Sequence, residues 1–147
     1  MKKLAIALAF AASATAIAAT AQVKPEDQVK QRRSAYAVMG FNFANLAAMA
    51  QEKKPYNKEE AGRSADLVAA LSDYPRGHFG AGTDKGETKA RAEIWQNRAD
   101  FDAKMDKMIT ATKALPQAAR ADLPTLKKAV AEAGGTCKAC HDDYRAK

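Results

Sequence analysis

The sequence is poor in the residues that several protein classes depend on. It has two cysteines in 147 residues, too few for a disulfide-dense scaffold. It has two histidines and one tryptophan. No nucleophile–base set can be assembled from so few histidines, so a conventional enzyme is not expected. No segment alternates β-branched and polar residues in the period-two pattern of a strand. No repeat recurs at a solenoid period. Long unbroken apolar runs are also missing beyond the first twenty residues. With 28% charged and 47% hydrophobic residues, the chain reads neither as a polytopic membrane protein nor as a disordered one. Its length suits one domain.

The N-terminal run has its own logic. Met1-Lys2-Lys3 is a short positive start, Leu4 to Ala19 carries no charge, and Ala19-Thr20-Ala21 is an A-x-A site followed by polar Gln22. This is the three-part pattern of a secretory signal peptide. The run is short and alanine-rich for a bilayer span, and no stop-transfer flank follows it. Residues 1–21 are therefore expected to be a signal peptide and 22–147 the domain, with a bacterial periplasm as the destination and no membrane attachment after cleavage. Removing Lys2 and Lys3 lowers the net charge from +7 to +5. Lysines are then spread through every helix among acids, and no recognised nucleic-acid motif appears, so nucleic acid is not an expected partner.

What is abundant is Ala, Lys, Glu, Gln, Leu and Met, all good helix formers. A first helix is expected over Pro25–Lys53, with the seam Val29, Arg32, Tyr36, Met39, Phe43, Leu46, Ala50 stepping three and four. Arg32 is a charged intruder on that seam and calls for an anionic partner. A second helix is expected from Asn57, with Glu60 completing a capping-box start. Leu67, Val68 and Leu71 form its inner face, and it ends near Tyr74-Pro75. A glycine-bearing loop follows to about Thr88 and holds His78, read as a solvated loop histidine. A third helix is expected over Ala92–Leu115, ended by Pro116, with the seam Ile94, Arg98, Phe101, Met105, Met108, Thr112, Leu115. A fourth begins near Asp122-Leu123-Pro124, with the seam Leu126, Val130, Ala133, Cys137, Cys140, Tyr144. Gly134-Gly135 interrupt it, which suggests a bulky group approaching the backbone. The fold class is all-α, an antiparallel up-down-up-down four-helix bundle.

The chemistry sits on the last helix. Cys137-Lys138-Ala139-Cys140-His141 is a C-x-x-C-H run, the attachment signature of covalently bound c-type haem. Two thiols three apart share a helix face and can reach the two vinyl groups on one porphyrin edge. His141, next in line, can rise to the iron from the same side. Three other readings stay open. A thioredoxin-like dithiol would need a βαβ context. A zinc site would need four ligands, and only Cys137, Cys140, His141 and distant His78 are present. A structural disulfide would explain neither His141 nor the core-facing sulfurs.

Placed on the last helix of a bundle, this motif resembles the class II c-type cytochrome family, the cytochromes c′. The strongest matches are Cys137 to Arg145, Arg32 to Met39, Pro55-Tyr56, Phe79 to Thr83 and Glu93-Ile94-Trp95. The resemblance implies one haem c joined through Cys137 and Cys140, with His141 as proximal ligand and metal-binding residue. It implies Arg145 as the basic residue beside that histidine, Tyr36 over the distal face, and Arg32 meeting a haem propionate. Phe79, Trp95, Phe101 and Tyr144 are the matching candidates for packing on the porphyrin. Arg76 stands where relatives often carry an aromatic residue. The implied function is electron transfer, binding of small gases such as NO and CO, or both, at a high-spin iron. Low-spin electron transfer with Met39 as sixth ligand is an alternative within the fold. A haem-free thiol oxidoreductase and a haem-free interaction bundle are the alternatives outside it. The resemblance further implies a homodimer through the first two helices, with Val38, Phe41 and Leu46 as its apolar patch, and an unknown redox partner protein.

Overall fold

The computed structural model describes residues 23–147; the expected leader, residues 1–21, lies outside them. Helix α1 spans Pro25–Ala50, α2 Lys58–Leu71, α3 Glu93–Gln96, α4 Arg98–Ala121 and α5 Leu123–Tyr144. A 3₁₀ turn covers Tyr74–His78. The four long helices pack around a ring in the order α1, α2, α4, α5, which is the four-helix bundle read from the seams. Among the described residues no helix is long and apolar enough to cross a membrane.

Several boundaries differ from expectation for local reasons. Helix α1 stops at Ala50, three residues before Lys53. Glu52 enters the left-handed region at φ 57°. The Lys53 amide then donates to Ala48 O at 2.9 Å and the Glu52 amide to Met49 O at 3.0 Å, a C-cap that consumes the orphan carbonyls. Asn57 starts α2, its side chain accepting from the Glu60 amide at 2.8 Å, but the Glu60 carboxylate turns to Lys54 instead of closing the box. The inner face of α2 is Ala61, Gly62, Ser64, Ala65 and Val68, whereas Leu67 is 47% exposed. Small residues let α2 approach α4 closely. An added Cβ at Gly62 would stand 3.0 Å from the Arg120 guanidinium carbon.

The expected third helix is two. Asn97, at φ −118° and ψ 49°, breaks it into α3 and α4. Pro116 does not end α4, which runs on to Ala121. Leu115, Ala118 and Ala119 are all buried there; this burial outweighs the lost backbone bond. Helix α5 starts as expected, with the Asp122 carboxylate accepting from the Thr125 amide at 2.8 Å. Gly134-Gly135 do not interrupt it. The bulky group at Gly134 is the Phe43 ring, whose Cζ would lie 3.5 Å from an added Cβ, and Gly135 faces open space.

The core falls into two clusters. At one end Leu46, Met49, Val68, Leu115, Leu126 and several alanines pack together. At the other end, Met39, Phe79, Ile94, Phe101, Met105, Met108, Ile109 and Tyr144 pack together. Leu46 is fully buried in the first cluster, so it cannot belong to a surface patch as expected. Val38 and Phe41 are exposed, Phe41 at 78%.

Candidate functional site

Helix α5 delivers the C-x-x-C-H run to the aromatic and methionine cluster. Cys137 and Cys140 are half-buried against that cluster and are not joined to each other. Burial pushes both thiols up, Cys140 to about 11. Reactive thiols are poised the other way, with depressed values and electropositive surroundings. His141 follows on the exposed side of the helix. Partial burial of its ring, then the charge of Arg145, lower its proton affinity. Among the described residues no three His, Cys, Asp or Glu side chains converge to hold a metal ion by themselves.

The turn bearing His141 is tied down on two sides. Tyr144 donates its hydroxyl to Asp100 Oδ2 at 2.5 Å and meets the Phe101 ring edge-on at 5.4 Å. The Asp100 bond and burial raise the phenol to about 12. Lys104 bridges Asp100 at 2.7 Å and Asp143 at 3.0 Å. The tail pairs with the loop through an antiparallel bridge between Ala90 and Arg145. There the Arg91 amide donates to Tyr144 O at 3.1 Å, and the Ala146 amide to Lys89 O at 2.8 Å. Arg145 itself is exposed at the helix end, its amide on His141 O at 3.2 Å.

Helix α1 supplies the opposite side. Arg32 is 2% exposed, yet it meets no carboxylate. Its guanidinium donates to His78 O at 2.8 Å, Thr83 O at 2.6 Å and Thr88 Oγ1 at 2.7 Å. It also stands over the Phe79 ring, 4.5 Å from the centroid. The expected anionic partner is therefore replaced, in the protein's own contacts, by loop oxygens and a π face. Four residues on, Tyr36 packs on the same cluster and donates its hydroxyl to Met105 Sδ at 3.6 Å. Burial raises its phenol and keeps it protonated. Met39 is buried in that cluster.

The loop completes the wall. Phe79 is buried, T-shaped against Phe101 at 4.8 Å and tilted against Trp95 at 6.3 Å. Trp95 Nε1 donates to Phe79 O at 3.1 Å and Gly80 O at 3.2 Å, which fixes the indole. His78 is half-buried, with Nδ1 on Tyr74 O at 2.9 Å and Nε2 on Gln31 Oε1 at 2.7 Å. Arg76 pairs with Asp73 at 3.0 Å and with Asp106, so the position without an aromatic is bound by charge.

These residues fit a thioether-linked porphyrin by the chemistry of the donor set. Two unjoined thiols share one helix face, an imidazole stands next to the second, and an aromatic and methionine bed lies beside them. Gly135, two residues before Cys137, leaves backbone that no side chain covers. Sequence reasoning did not reach Asp100, Thr83 or Thr88 as supporting residues. Their partners lie 44 to 56 residues away, and no local pattern marks them. Met105 was visible only as a seam residue.

Comparison with known proteins agrees with this geometry. A family model described as Cytochrome C′ matches residues 27–145. The cytochrome c′ of Rubrivivax gelatinosus is 40% identical over 126 residues, covering 84% of this chain and 98% of that one. Its crystal structure superposes with a TM-score of 0.80. The cytochrome c prime of Shewanella frigidimarina is 41% identical, covers 86% of this chain and 99% of its own, and gives a TM-score of 0.82. A nitric oxide complex of a variant cytochrome c prime from Alcaligenes xylosoxidans is 37% identical, with coverages of 86% and 98% and a TM-score of 0.78. The chain belongs to the cytochrome c′ family.

Proposed function

We propose that this chain is a periplasmic haem protein that binds small neutral gases and exchanges single electrons, and that no substrate turnover is its task. The observation that carries this reading is the seating of Cys137 and Cys140 on the aromatic and methionine cluster, with His141 the next residue. A bound haem supplies a redox-active iron with room for a diatomic ligand. Every other part of the task falls to the chain. Cys137 and Cys140 would hold one haem by thioether bonds. His141 would hold the iron, and Arg145, one turn on, would bound access to it. Tyr36 would cover the gas-binding face. Phe79, Trp95, Phe101 and Tyr144 exclude water from the porphyrin's surroundings. Arg32 would meet a propionate, and its bonds to the loop oxygens keep the loop closed. An apolar distal side favours NO and CO over charged ligands. A relative crystallised as a nitric oxide complex supports that ligand class.

Met39 supports one second reading, because its thioether lies in the same cluster as both cysteines. In that reading it is a sixth ligand and the protein is a low-spin electron carrier. Residues 1–21 act as a removable signal peptide in both readings. A second copy of the chain covers the outer face of α1 and α2, where Val38, Phe41 and Leu67 are exposed; sedimentation showing monomer only would exclude it.

The deciding experiment is an optical spectrum of the exported protein with a pyridine haemochrome assay. Covalent haem, a five-coordinate high-spin spectrum and reversible NO binding are expected. A six-coordinate spectrum that Met39→Leu converts to five-coordinate would support the second reading. No covalent haem would overturn both.

A further inference from the structure

We propose that Met105 sets how the site discriminates among gases, by holding the hydroxyl of Tyr36 away from the bound ligand. The proposal rests on the reading that Tyr36 covers the gas-binding face. Tyr36 reaches the cluster from α1 and Met105 from α4. Phe101, Met105 and Met108 step four and three along the buried face of α4. Met105 is 1% exposed, so its thioether is part of the buried wall. The Tyr36 hydroxyl donates to that sulfur at 3.6 Å.

The partner's chemistry gives this contact its meaning. A thioether is a weak acceptor. A buried hydroxyl wants an acceptor, and leaving it without one is costly. Tyr36 is thus parked on an acceptor strong enough to satisfy it and weak enough to be outbid. A ligand whose outer atom accepts hydrogen bonds well draws the hydroxyl from Met105. A ligand that accepts poorly, as CO does, leaves it there. Selectivity then depends on a residue that need not touch the gas. Met105 is accordingly a positioning residue for Tyr36.

The test uses the holoprotein with CO as probe, comparing Met105→Leu, Met105→Ile, Tyr36→Phe, Tyr36→Ala and the double variant Tyr36→Phe with Met105→Leu. Both Met105 changes roughly conserve volume and remove the acceptor. In each, the freed hydroxyl turns to the bound CO. The C–O stretching frequency is expected to fall, and CO release to slow by about three- to tenfold, the size of one net hydrogen bond. In the double variant both effects disappear. If Tyr36→Ala leaves the CO association rate unchanged, Tyr36 does not cover the gas face, and the proposal falls with that reading. If Tyr36→Ala speeds association but neither Met105 variant lowers the stretching frequency, the reading stands and the proposal is overturned. Equal Met105 effects with and without the Tyr36 hydroxyl would likewise overturn it, as a packing effect alone.

Discussion

The guanidinium carbon of Arg32 lies 4.5 Å from the centre of the Phe79 ring. One α1 side chain thereby holds both the face of the loop's aromatic anchor and three oxygens spread from His78 to Thr88. Arg32→Leu removes every one of these bonds and leaves Thr83 O buried without its donor. A loss of about 2–4 kcal/mol in urea unfolding is expected. Arg32→Lys is expected to recover only part, because an ammonium cannot fork between separate oxygens. Equal stability of wild type and Arg32→Leu would show that the loop holds itself.

The two core clusters separate stability from spectroscopy. Leu126 is fully buried at the end away from the cysteines. Leu126→Ala is expected to cost about 2–5 kcal/mol while leaving the haem absorption bands in place. Phe101→Leu removes the ring that meets both Phe79 and Tyr144. It is expected to shift those bands at a smaller stability cost. A Leu126→Ala protein with altered bands would show that the clusters are coupled.

Pro116 sits inside α4, so the Thr112 carbonyl receives no amide from it. Pro116→Ala restores the helical bond. A gain of about 2 kcal/mol is expected, the interior cost of proline less its ordering of the unfolded chain. Differential scanning calorimetry showing a lower melting temperature would mean that α4 uses the distortion.

Acid should weaken the bundle through paired carboxylates. The Arg120 bond holds Asp66 below the usual carboxylate range, and Lys104 and then Tyr144 do the same for Asp100. Both take up a proton more readily unfolded than folded. Their contribution is therefore complete above the ordinary aspartate value of about 4 and is lost as pH falls through the folded values. Urea midpoints measured between pH 6 and pH 3 should drop, and less so in Asp66→Asn. A flat profile in the wild type would remove these pairs from the account.

Helix-forming composition and seams stepping three and four made α1, α4 and α5 readable, because each buries one continuous stripe. The capping residues Asn57 and Asp122 were readable because a cap is satisfied within three residues. Readings failed where tertiary packing overrode a local rule. Pro116 stays helical because Leu115, Ala118 and Ala119 are buried around it. Leu67 turns outward because alanine and glycine let α2 lie closer to α4. The thiols and histidine announced their chemistry through spacing alone. The oxygens around Arg32 and the carboxylate under Tyr144 did not, since only the folded chain brings them together.

The two clusters differ in texture as well as position. Leucines and alanines at one end pack densely and resist any change of volume, whereas methionines and hinged aromatic contacts at the other can re-pack around a new shape. Changes of side-chain volume are therefore expected to be absorbed at the sulfur-rich end and felt in full at the aliphatic end.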